Sequence, residues 1–296
     1  MELRIEDLTK VYGRKKALQG VSATLRGGIY GLLGPNGAGK STMMQILTEN
    51  LRADGGKILV DGVPSEKMGV EYRKLLGYMP QQQGLYPHFT ARRFLYYVAA
   101  LKGMSEAQAA KEIAEAAAMV NMTDVLDKRL GTFSGGMKQR ILIAQAVLGG
   151  PKILILDEPT AGLDPRERIR IRNLISRISM DRIVILATHV VSDIEFIARE
   201  ILLLRDGRLI AQQRPSELLR QMMGRVFEIC VPEKQMDYVQ SGYLVGNIYR
   251  DEADRIWVRV ICDHEPEQYP FKAVMPALED VYLDTFADCG AKEGSV

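Results

Sequence analysis

The stretch Gly34-Pro35-Asn36-Gly37-Ala38-Gly39-Lys40-Ser41 decides the fold of this chain, because it matches the pattern GxxxxGK[ST] at every fixed position. Bound phosphates need several N–H donors that converge on them, and glycines let the backbone curl so that these donors point inward. The preceding run, 27–33, is apolar and glycine-flanked, which is typical of a buried strand. The following residues, 41–49, fit a helix whose positive end faces the anion. The sequence therefore predicts a phosphate-binding loop between a strand and a helix.

The residues of this loop have predicted tasks in holding a nucleoside triphosphate. Lys40 neutralises charge on the β- and γ-phosphates, and Ser41 offers its hydroxyl to Mg²⁺. The predicted nucleotide-binding residues of the loop are Gly34, Pro35, Asn36, Gly37, Ala38, Gly39, Lys40, Ser41 and Thr42.

A second stretch is a continuous apolar run that ends in two acids, Ile153-Leu154-Ile155-Leu156-Asp157-Glu158. Such a run implies burial on both faces, as in a parallel sheet. Alone it is often just a strand leaving the core. Beside the phosphate loop, Asp157 is placed to hold Mg²⁺ and Glu158 to orient and deprotonate the attacking water. Together the two stretches define an ATPase or GTPase of the phosphate-loop class.

Apolar strands alternate with amphipathic helices over the first three quarters of the chain, which predicts a doubly wound α/β fold. The predicted elements are an edge strand at 3–12 with a hairpin turn at Gly13, a strand at 57–61, a helix at 105–120 capped by Ser105, a helix opening at 134–136, a helix at 166–179 and a strand at 183–187. After Gly224 the composition shifts. Strands at 225–231, 243–250 and 255–262 and a closing helix at 276–286 predict a small accessory module over 225–296.

Bulk composition limits the function further. The 296 residues are 47% apolar and carry 39 Lys+Arg against 37 Asp+Glu, a net charge of +2, which argues against a protein that coats nucleic acid. Cys230, Cys262 and Cys289 are odd in number and lack a CxxC spacing, so a disulfide framework or zinc site is not expected and a reducing cytosol fits best.

Neither a targeting segment nor a membrane span is expected. The N-terminus carries acids where a signal peptide would carry an apolar run. The longest apolar run, 94–101, is far shorter than the roughly 18 residues that cross a bilayer. Any membrane role must therefore come through a partner chain.

A third motif narrows the class. Ser134-Gly135-Gly136-Met137-Lys138-Gln139-Arg140 stands just before the acid pair and resembles the signature motif of the ATP-binding cassette (ABC) family. The resemblance covers roughly residues 1–220. It implies a P-loop NTPase core with an N-terminal antiparallel β subdomain, an inserted α-helical subdomain at about 84–150, and the small C-terminal α+β module. Residues 1–224 would form the ABC ATPase domain.

The resemblance also implies roles for four residues outside these motifs. Tyr12 falls where the family stacks an aromatic ring on adenine, and Gln81, which follows Pro80, falls where the family contacts Mg²⁺ and water. Asp164 matches the loop that couples two subunits, and His189 matches the switch histidine that contacts the γ-phosphate. The expected catalytic set is Glu158, His189 and Gln81, and the expected Mg²⁺ ligands are Ser41, Gln81 and Asp157. Taken singly, Tyr12 would be a packed surface aromatic and His189 a helix-start or core histidine.

One residue departs from the family pattern. Phe133 stands before the signature serine, where the family commonly has leucine. Because this residue packs rather than reacts, we expect altered packing and retained activity.

The expected partners follow from the same resemblance. Ser134, Gly135 and Gly136 would close on the ATP of a second subunit, either another copy or a close relative. An integral membrane permease would select the cargo, and the chain would lie peripherally on the cytoplasmic face of the membrane. Aromatic residues in 86–97 are interpreted as a groove for a permease helix, or else as ordinary helix core. The stretch 276–283 is similar to the tail of exporter ATPases, which favours export.

Two other classes fit less well. A soluble cassette acting on ribosomes or DNA would carry two cassettes or a long coiled-coil insertion, and this chain has one cassette with a short insertion. A small-molecule kinase would not explain Ser134-Gly135-Gly136. No nucleic-acid partner is expected, and the sequence does not specify the transported substrate.

Overall fold

The computed structural model describes residues 1–81 and 84–287, so the prediction for Cys289 lies outside the described residues. The chain divides into two compact units, Met1–Gln212 and Gln213–Val296. This division falls before the helix Pro215–Gln221, whereas the sequence places the boundary after Gly224.

Strands and helices alternate along most of the first unit, as the sequence predicts.

The strands of the two units, in chain order, are β1 Glu2–Tyr12, β2 Lys15–Arg26, β3 Gly28–Leu33, β4 Gly55–Val60, β5 Val63–Pro64, β6 Leu76–Met79, β7 Ile153–Asp157, β8 Ile183–Ala187, β9 Glu200–Arg205, β10 Arg208–Gln213, β11 Val226–Val231, β12 Leu244–Arg250, β13 Ile256–Ile261 and β14 Phe271–Ala273. The helices are α1 Lys40–Leu47, α2 Ser65–Met68, α3 Val70–Leu75, α4 Ala91–Leu101, α5 Glu106–Met119, α6 Gly135–Val147, α7 Pro165–Ile178, α8 Pro215–Gln221, α9 Met236–Gly242 and α10 Leu278–Phe286.

The N-terminal antiparallel sheet has the order β2-β1-β4-β5. The predicted hairpin of β1 and β2 is confirmed, with Tyr12 opposite Lys15 across the turn. The prediction of β1 as an edge strand is wrong, because β4 pairs with its other side, Leu3 against Val60 and Ile5 against Ile58. Both sides of β1 are therefore hydrogen-bonded, and β2 and β5 form the edges.

The central six-stranded sheet positions the candidate site. Its order is β10-β9-β3-β8-β7-β6, and β9, β3, β8, β7 and β6 run parallel. β8 is buried throughout and β7 at all but its last residue, as their continuous apolar runs predict. Because the carboxyl ends of parallel strands meet at one edge, the loops after β3, β6, β7 and β8 converge there.

The inserted helical region consists of α4, α5 and α6. The predicted cap of Ser105 is confirmed, since its hydroxyl accepts from the amide of Gln108 at the start of α5. Ser134 caps α6 in the same way through the amide of Met137. The sequence predicts one partly buried face on α6, made of Ile141, Leu142, Ala144, Gln145 and Leu148. The helix in fact packs against α4, α5, α7 and β6 and is buried on several sides.

The second unit contains the sheet β12-β13-β11-β14. The three predicted strands and the closing helix are confirmed, while α8, α9 and β14 were not predicted. Its core gathers the inward faces of β11 and β13, including Phe227, Ile229, Val258 and Val260. Arg259 forms a bidentate ion pair with the buried Asp280 of α10, over 2.8 and 2.6 Å.

Candidate functional site

A cleft of about 540 Å³ lies at the carboxyl edge of the central sheet. Its lining residues are Tyr12, Lys15, Ala17, Asn36, Gly37, Ala38, Gly39, Lys40, Ser41, Thr42, Gln81, Asp157, Glu158 and His189. Twelve of these fourteen come from the sequence prediction, and they arrive from five separate segments of the chain. The structure therefore brings together the phosphate loop, the acid pair and the resemblance-derived residues Tyr12, Gln81 and His189.

The phosphate loop needs glycine at two positions for different steric reasons. A Cβ at Gly34 would lie 2.2 Å from the carbonyl oxygen of Leu204 in β9. Gly39 has a φ of +107°, and a Cβ there would lie 2.5 Å from the carbonyl oxygen of Ala17. The loop is thus packed directly on neighbouring backbone, which fixes the path of its N–H groups into α1.

Lys40 is held over the loop by two carbonyl groups. Its ammonium donates to the carbonyl oxygen of Gly34 and, over 3.0 Å, to that of Pro35. Burial lowers the pKa of Lys40, while the nearby Glu158 and Asp157 oppose that shift. Gly34 and Pro35 do not line the cleft themselves. They position the lysine that does.

Asp157 is the last residue of β7, and its carboxylate lies close enough to Lys40 for the two charges to interact. Burial raises its pKa from 3.8 to about 6, and the charge of Glu158 adds to the rise. Lys40 and the backbone N–H of Gln81, which donates to the carboxylate, act in the opposite direction. A buried carboxylate that is costly to charge is a site suited to a divalent cation, because the cation supplies the missing positive charge.

Glu158 has an unusual backbone and a half-satisfied side chain. Its φ is +52°, rare for a residue other than glycine, and such conformations cost about 1–3 kcal/mol. Oε1 accepts from the backbone N–H of His189 over 2.9 Å, and Nδ1 of His189 lies 2.9 Å from the same oxygen. Among the described residues, the buried Oε2 has no hydrogen-bond partner. The strained backbone therefore presents one carboxylate oxygen to the cleft.

The β1–β2 hairpin closes the far side of the cleft. Tyr12 is 47% exposed, so one face of its ring is free to stack on a planar group. Lys15 and Ala17, two residues apart on β2, line the same cleft and were not predicted. The only sequence signal for Lys15 is the basic run Arg14-Lys15-Lys16, which follows Tyr12 after the turn residue Gly13.

The signature residues and Asp164 lie outside this cleft. Ser134 and Gly135 are exposed at the start of α6, whereas Gly136 is buried, with Glu167 where a Cβ would be. Asp164 caps α7 by accepting from the amides of Arg166 and Glu167, each over 3.0 Å. Within one chain, the positive end of α6 thus faces solvent and not the phosphate loop.

Comparison with known proteins places these features in a family. The chain is 36% identical over 293 residues to "Nod factor export ATP-binding protein I" of Rhizobium sp. (strain N33), with 93% of each chain covered. It is 34% identical over 257 residues to "Uncharacterized ABC transporter ATP-binding protein YxlF" of Bacillus subtilis (strain 168), covering 86% of this chain and 85% of the relative. The family model described as "ABC transporter" matches residues 18–161. The chain belongs to the ABC transporter ATP-binding proteins.

Solved structures agree with the P-loop NTPase fold of this ABC protein. One is cbiO1 from Clostridium perfringens, described as part of the ABC transporter complex cbiONQ, with a TM-score of 0.67 at 29% identity over 74% of this chain and 90% of that one. Another is the dimeric post-hydrolysis state of the cassette MJ0796 bound to ADP and Pi, with a TM-score of 0.63 at 25% identity over 72% of this chain and 98% of that one. The ABC chain described here is an ATP-binding protein and an ATPase, the ATP-hydrolysing subunit of a transporter.

Proposed function

We propose that this chain powers export through a separate membrane permease, by closing a head-to-tail dimer on two ATP molecules and hydrolysing them. The observation that carries the proposal is the division of the site: the cleft gathers the residues predicted to bind phosphate, Mg²⁺ and water, while the exposed start of α6, with Ser134 and Gly135, lies outside it. Residues 1–224 would carry the ATPase chemistry, and 225–296 would form an accessory module.

The proposed hydrolytic step uses this chain's own groups in fixed positions. Tyr12 stacks on adenine, the backbone of residues 34–42 and the Lys40 ammonium bind the phosphates, and His189 contacts the γ-phosphate. Ser41, Gln81 and Asp157 would hold Mg²⁺, which would supply positive charge near the phosphate oxygens when bound. Oε2 of Glu158 takes a proton from water as the water oxygen bonds to the γ-phosphorus and the bond to ADP breaks. Among the described residues this oxygen has no hydrogen-bond partner, which supports the proposed role of Glu158 as the base.

The dimer completes the site that a single chain leaves open. Ser134 and Gly135 stand at the exposed start of α6, and the start of a helix is an anion-binding end. In the proposed assembly this end meets the γ-phosphate of the ATP bound by the partner subunit, and Asp164 lies at the coupling contact. The dimeric cassette MJ0796 supports this arrangement by similarity.

The permease contact is proposed at an aromatic cluster made of Tyr86, Phe89 and Tyr97. Tyr86 and Phe89 stack at 4.9 Å, Tyr97 meets Tyr86 edge-on at 5.9 Å, and the guanidinium of Arg93 lies 4.3 Å from the centre of the Phe89 ring. Tyr86 and Tyr97 remain 47% and 42% exposed. In the part of the chain that the structure describes, no helix is both long and apolar enough to cross a membrane. A peripheral position on the cytoplasmic face, through this contact, is part of the proposal.

Export is favoured over import by the relatives and by the C-terminal helix. Two relatives are named for export or resistance: the Nod factor protein above, and "Linearmycin resistance ATP-binding protein LnrL" of Bacillus subtilis (strain 168), 34% identical over 75% of this chain and 72% of that one. The stretch 276–283, which resembles exporter tails, forms the start of α10.

The decisive experiment is to purify the chain from native membranes in mild detergent and to identify what accompanies it. A polytopic membrane protein that co-purifies with the wild type, and is lost from a Tyr86→Glu variant, is the expected result. Recovery with ribosomes or DNA, in a salt-sensitive complex, would overturn the transporter proposal while leaving the ATP site intact.

A further inference from the structure

Glu158 and His189 stand on two segments that leave the central sheet side by side. Asp157 pairs with Ala187 in the register of β7 and β8, so both segments start from the same level of the sheet. Glu158 and His189 join the segments at the cleft. A second, buried link joins them again: the hydroxyl of Thr160 donates to Oδ2 of Asp193 over 2.6 Å.

The second link is shielded from water and anchored on both sides. Thr160 is 2% exposed and Asp193 is 3% exposed. The amide of Asp193 donates to the carbonyl of Val190 over 3.0 Å. Arg172 of α7 donates to the carbonyl of Ser192 over 3.0 Å, and its guanidinium lies 3.9 Å from Oδ1 of Asp193. A buried carboxylate is costly without such partners, so this arrangement holds Asp193 in one place.

We propose that the Thr160–Asp193 hydrogen bond is a positioning device for hydrolysis, which fixes the distance between the segments that carry Glu158 and His189. Neither Thr160 nor Asp193 is among the residues that line the cleft, so both act through other groups. The inference rests on the proposed catalytic roles of Glu158 and His189.

The backbone of Glu158 gives the physical reason for such a device. Its φ of +52° persists only if the surroundings over-determine it. Its amide donates to the carbonyl of Ala187 over 2.9 Å, and its carbonyl accepts from Ala161 over 3.1 Å. Further along the same segment, the side chain of Thr160 is hydrogen-bonded to Asp193 and so holds the segment against the one that carries His189. Without it, the two segments are free to separate beyond the Glu158–His189 contact, which moves Oε2 relative to the attacking water.

The test compares variants that remove the link with one that keeps it. Thr160→Val keeps the shape of the side chain but removes the donor, and Asp193→Ala removes the acceptor. We expect each to lower kcat for ATP about 10- to 100-fold, since a misplacement of about 1 Å at a reacting group has effects of that size. KM for ATP stays within about twofold, because Tyr12 and the phosphate loop, which supply most of the proposed contacts to the nucleotide, lie on other segments. Thr160→Ser retains the hydroxyl and keeps kcat within about threefold of the wild type.

The double variant and a matched control separate positioning from loss of folding. Thr160→Val combined with Asp193→Ala costs no more kcat than the stronger single variant, because both remove one interaction. Asp280→Ala removes an equally buried aspartate from the second unit and leaves kcat unchanged. All variants are assayed as full chains at a temperature where thermal unfolding shows them to be folded.

Three results would overturn the positioning role: a Thr160→Val variant with wild-type kcat, an equal loss in Thr160→Ser, or a rise in KM with kcat unchanged. Glu158→Gln is assayed in parallel. Full turnover by Glu158→Gln refutes the proposed base itself. Loss of turnover by Glu158→Gln with wild-type turnover by Thr160→Val refutes the positioning role alone.

Discussion

Oε1 of Glu158 lies 2.9 Å from both the backbone nitrogen and Nδ1 of His189. For both contacts to be hydrogen bonds, Nδ1 must carry its proton, which leaves Nε2 as the ring atom available to a ligand. Glu158 therefore orients the histidine with one oxygen, while Oε2, which has no hydrogen-bond partner among the described residues, is left for the proposed contact with water. One side chain thus fixes the orientation of the His189 ring and the position of Oε2, the proposed base.

Glu158→Gln tests this division of labour. The amide oxygen of glutamine can still accept from the amide of His189, but its NH₂ group cannot take a proton from water. We expect turnover to fall about 100-fold or more, the range for loss of a general base, with ATP binding retained. Phosphate release and equilibrium ATP binding are the measurements. Glu71→Gln, an exposed glutamate on α3, is the control. A Glu158→Gln chain that turns over like the control would refute the assignment.

Asp157→Asn should stabilise the nucleotide-free chain while removing metal-dependent activity. Since burial raises the pKa of Asp157 from 3.8 to about 6, the folded chain binds more protons than the unfolded chain within that pH window. The free energy of unfolding therefore falls as pH rises from 3.8 to about 6, and the penalty persists above it. Asparagine carries no such penalty. With Asp157 only partly buried, we expect a gain of about 1 kcal/mol at pH 7.5.

Urea unfolding from pH 4.5 to 7.5 measures this gain. Asp181→Asn, an exposed aspartate, serves as the reference and should leave the pH dependence unchanged. If the Asp157→Asn chain were less stable than the wild type at pH 7.5, the buried charge would not be the cost that its surroundings indicate. Mg²⁺-dependent ATP hydrolysis should be lost in the same variant, because a neutral amide is a weaker ligand for Mg²⁺.

Lys15→Ala should weaken ATP binding without affecting the chemical step. A Cβ at Gly37 would lie 3.7 Å from the ammonium of Lys15, so this charge stands beside the phosphate loop. We expect ATP affinity to fall about threefold to tenfold at low salt and less at high salt, because an exposed charge is screened. Lys16 is the neighbour on the opposite face of β2, and Lys16→Ala should bind ATP normally. Equal losses from the two lysines would show only a general effect of charge.

Local patterns predicted the parts of the site whose residues are contiguous, and the family resemblance supplied Tyr12, Gln81 and His189 from separate segments. The phosphate loop and the acids after β7 could be predicted because strand, loop and helix signals adjoin in the chain. β1 lies inside its sheet because it pairs with β4, which is more than 40 residues further along the chain. No pattern within the sequence of β1 predicts that pairing. The burial of α6 on several sides and the Thr160–Asp193 link likewise depend on partners from other elements. Lys15 was missed because an exposed lysine in a basic run has many ordinary explanations.

A charge in the aromatic cluster should separate transport from hydrolysis. Tyr86→Glu replaces an exposed ring of the cluster with a carboxylate, which a partner helix that covers the cluster would have to desolvate. We expect ATPase activity of the isolated chain within about twofold of the wild type, because none of the three rings lines the ATP cleft. Co-purification with the membrane partner and transport in cells should be lost. Tyr238→Glu, an exposed tyrosine of the second unit, is the matched control. Transport retained by Tyr86→Glu would remove the cluster from the permease contact.

Changing either of two adjacent signature glycines to alanine should impair the protein, Gly136→Ala by lowering its stability and Gly135→Ala by lowering its turnover. A Cβ at Gly136 would lie 2.6 Å from Oε2 of Glu167, whose carboxylate is paired with Arg140 over 2.9 Å and also with Arg170. Gly136→Ala must displace this carboxylate, so we expect a loss of about 1–3 kcal/mol in the free energy of unfolding. Among the residues that the structure describes, a Cβ at Gly135 meets only Leu163, at 3.5 Å, which is an ordinary contact. Gly135→Ala should therefore fold normally.

The proposed dimer predicts that Gly135→Ala nevertheless loses turnover, because the new methyl group stands at the exposed helix start that meets the partner's ATP. ATP binding to the isolated chain should be unchanged, since Gly135 does not line its own cleft. Mixing gives the sharpest measurement: Gly135→Ala chains combined with Lys40→Ala chains can form one composite site with both an intact phosphate loop and an intact signature. Partial recovery of hydrolysis in the mixture is the expected result. No recovery, with both variants folded and dimers shown to form, would mean that the signature does not act across two chains.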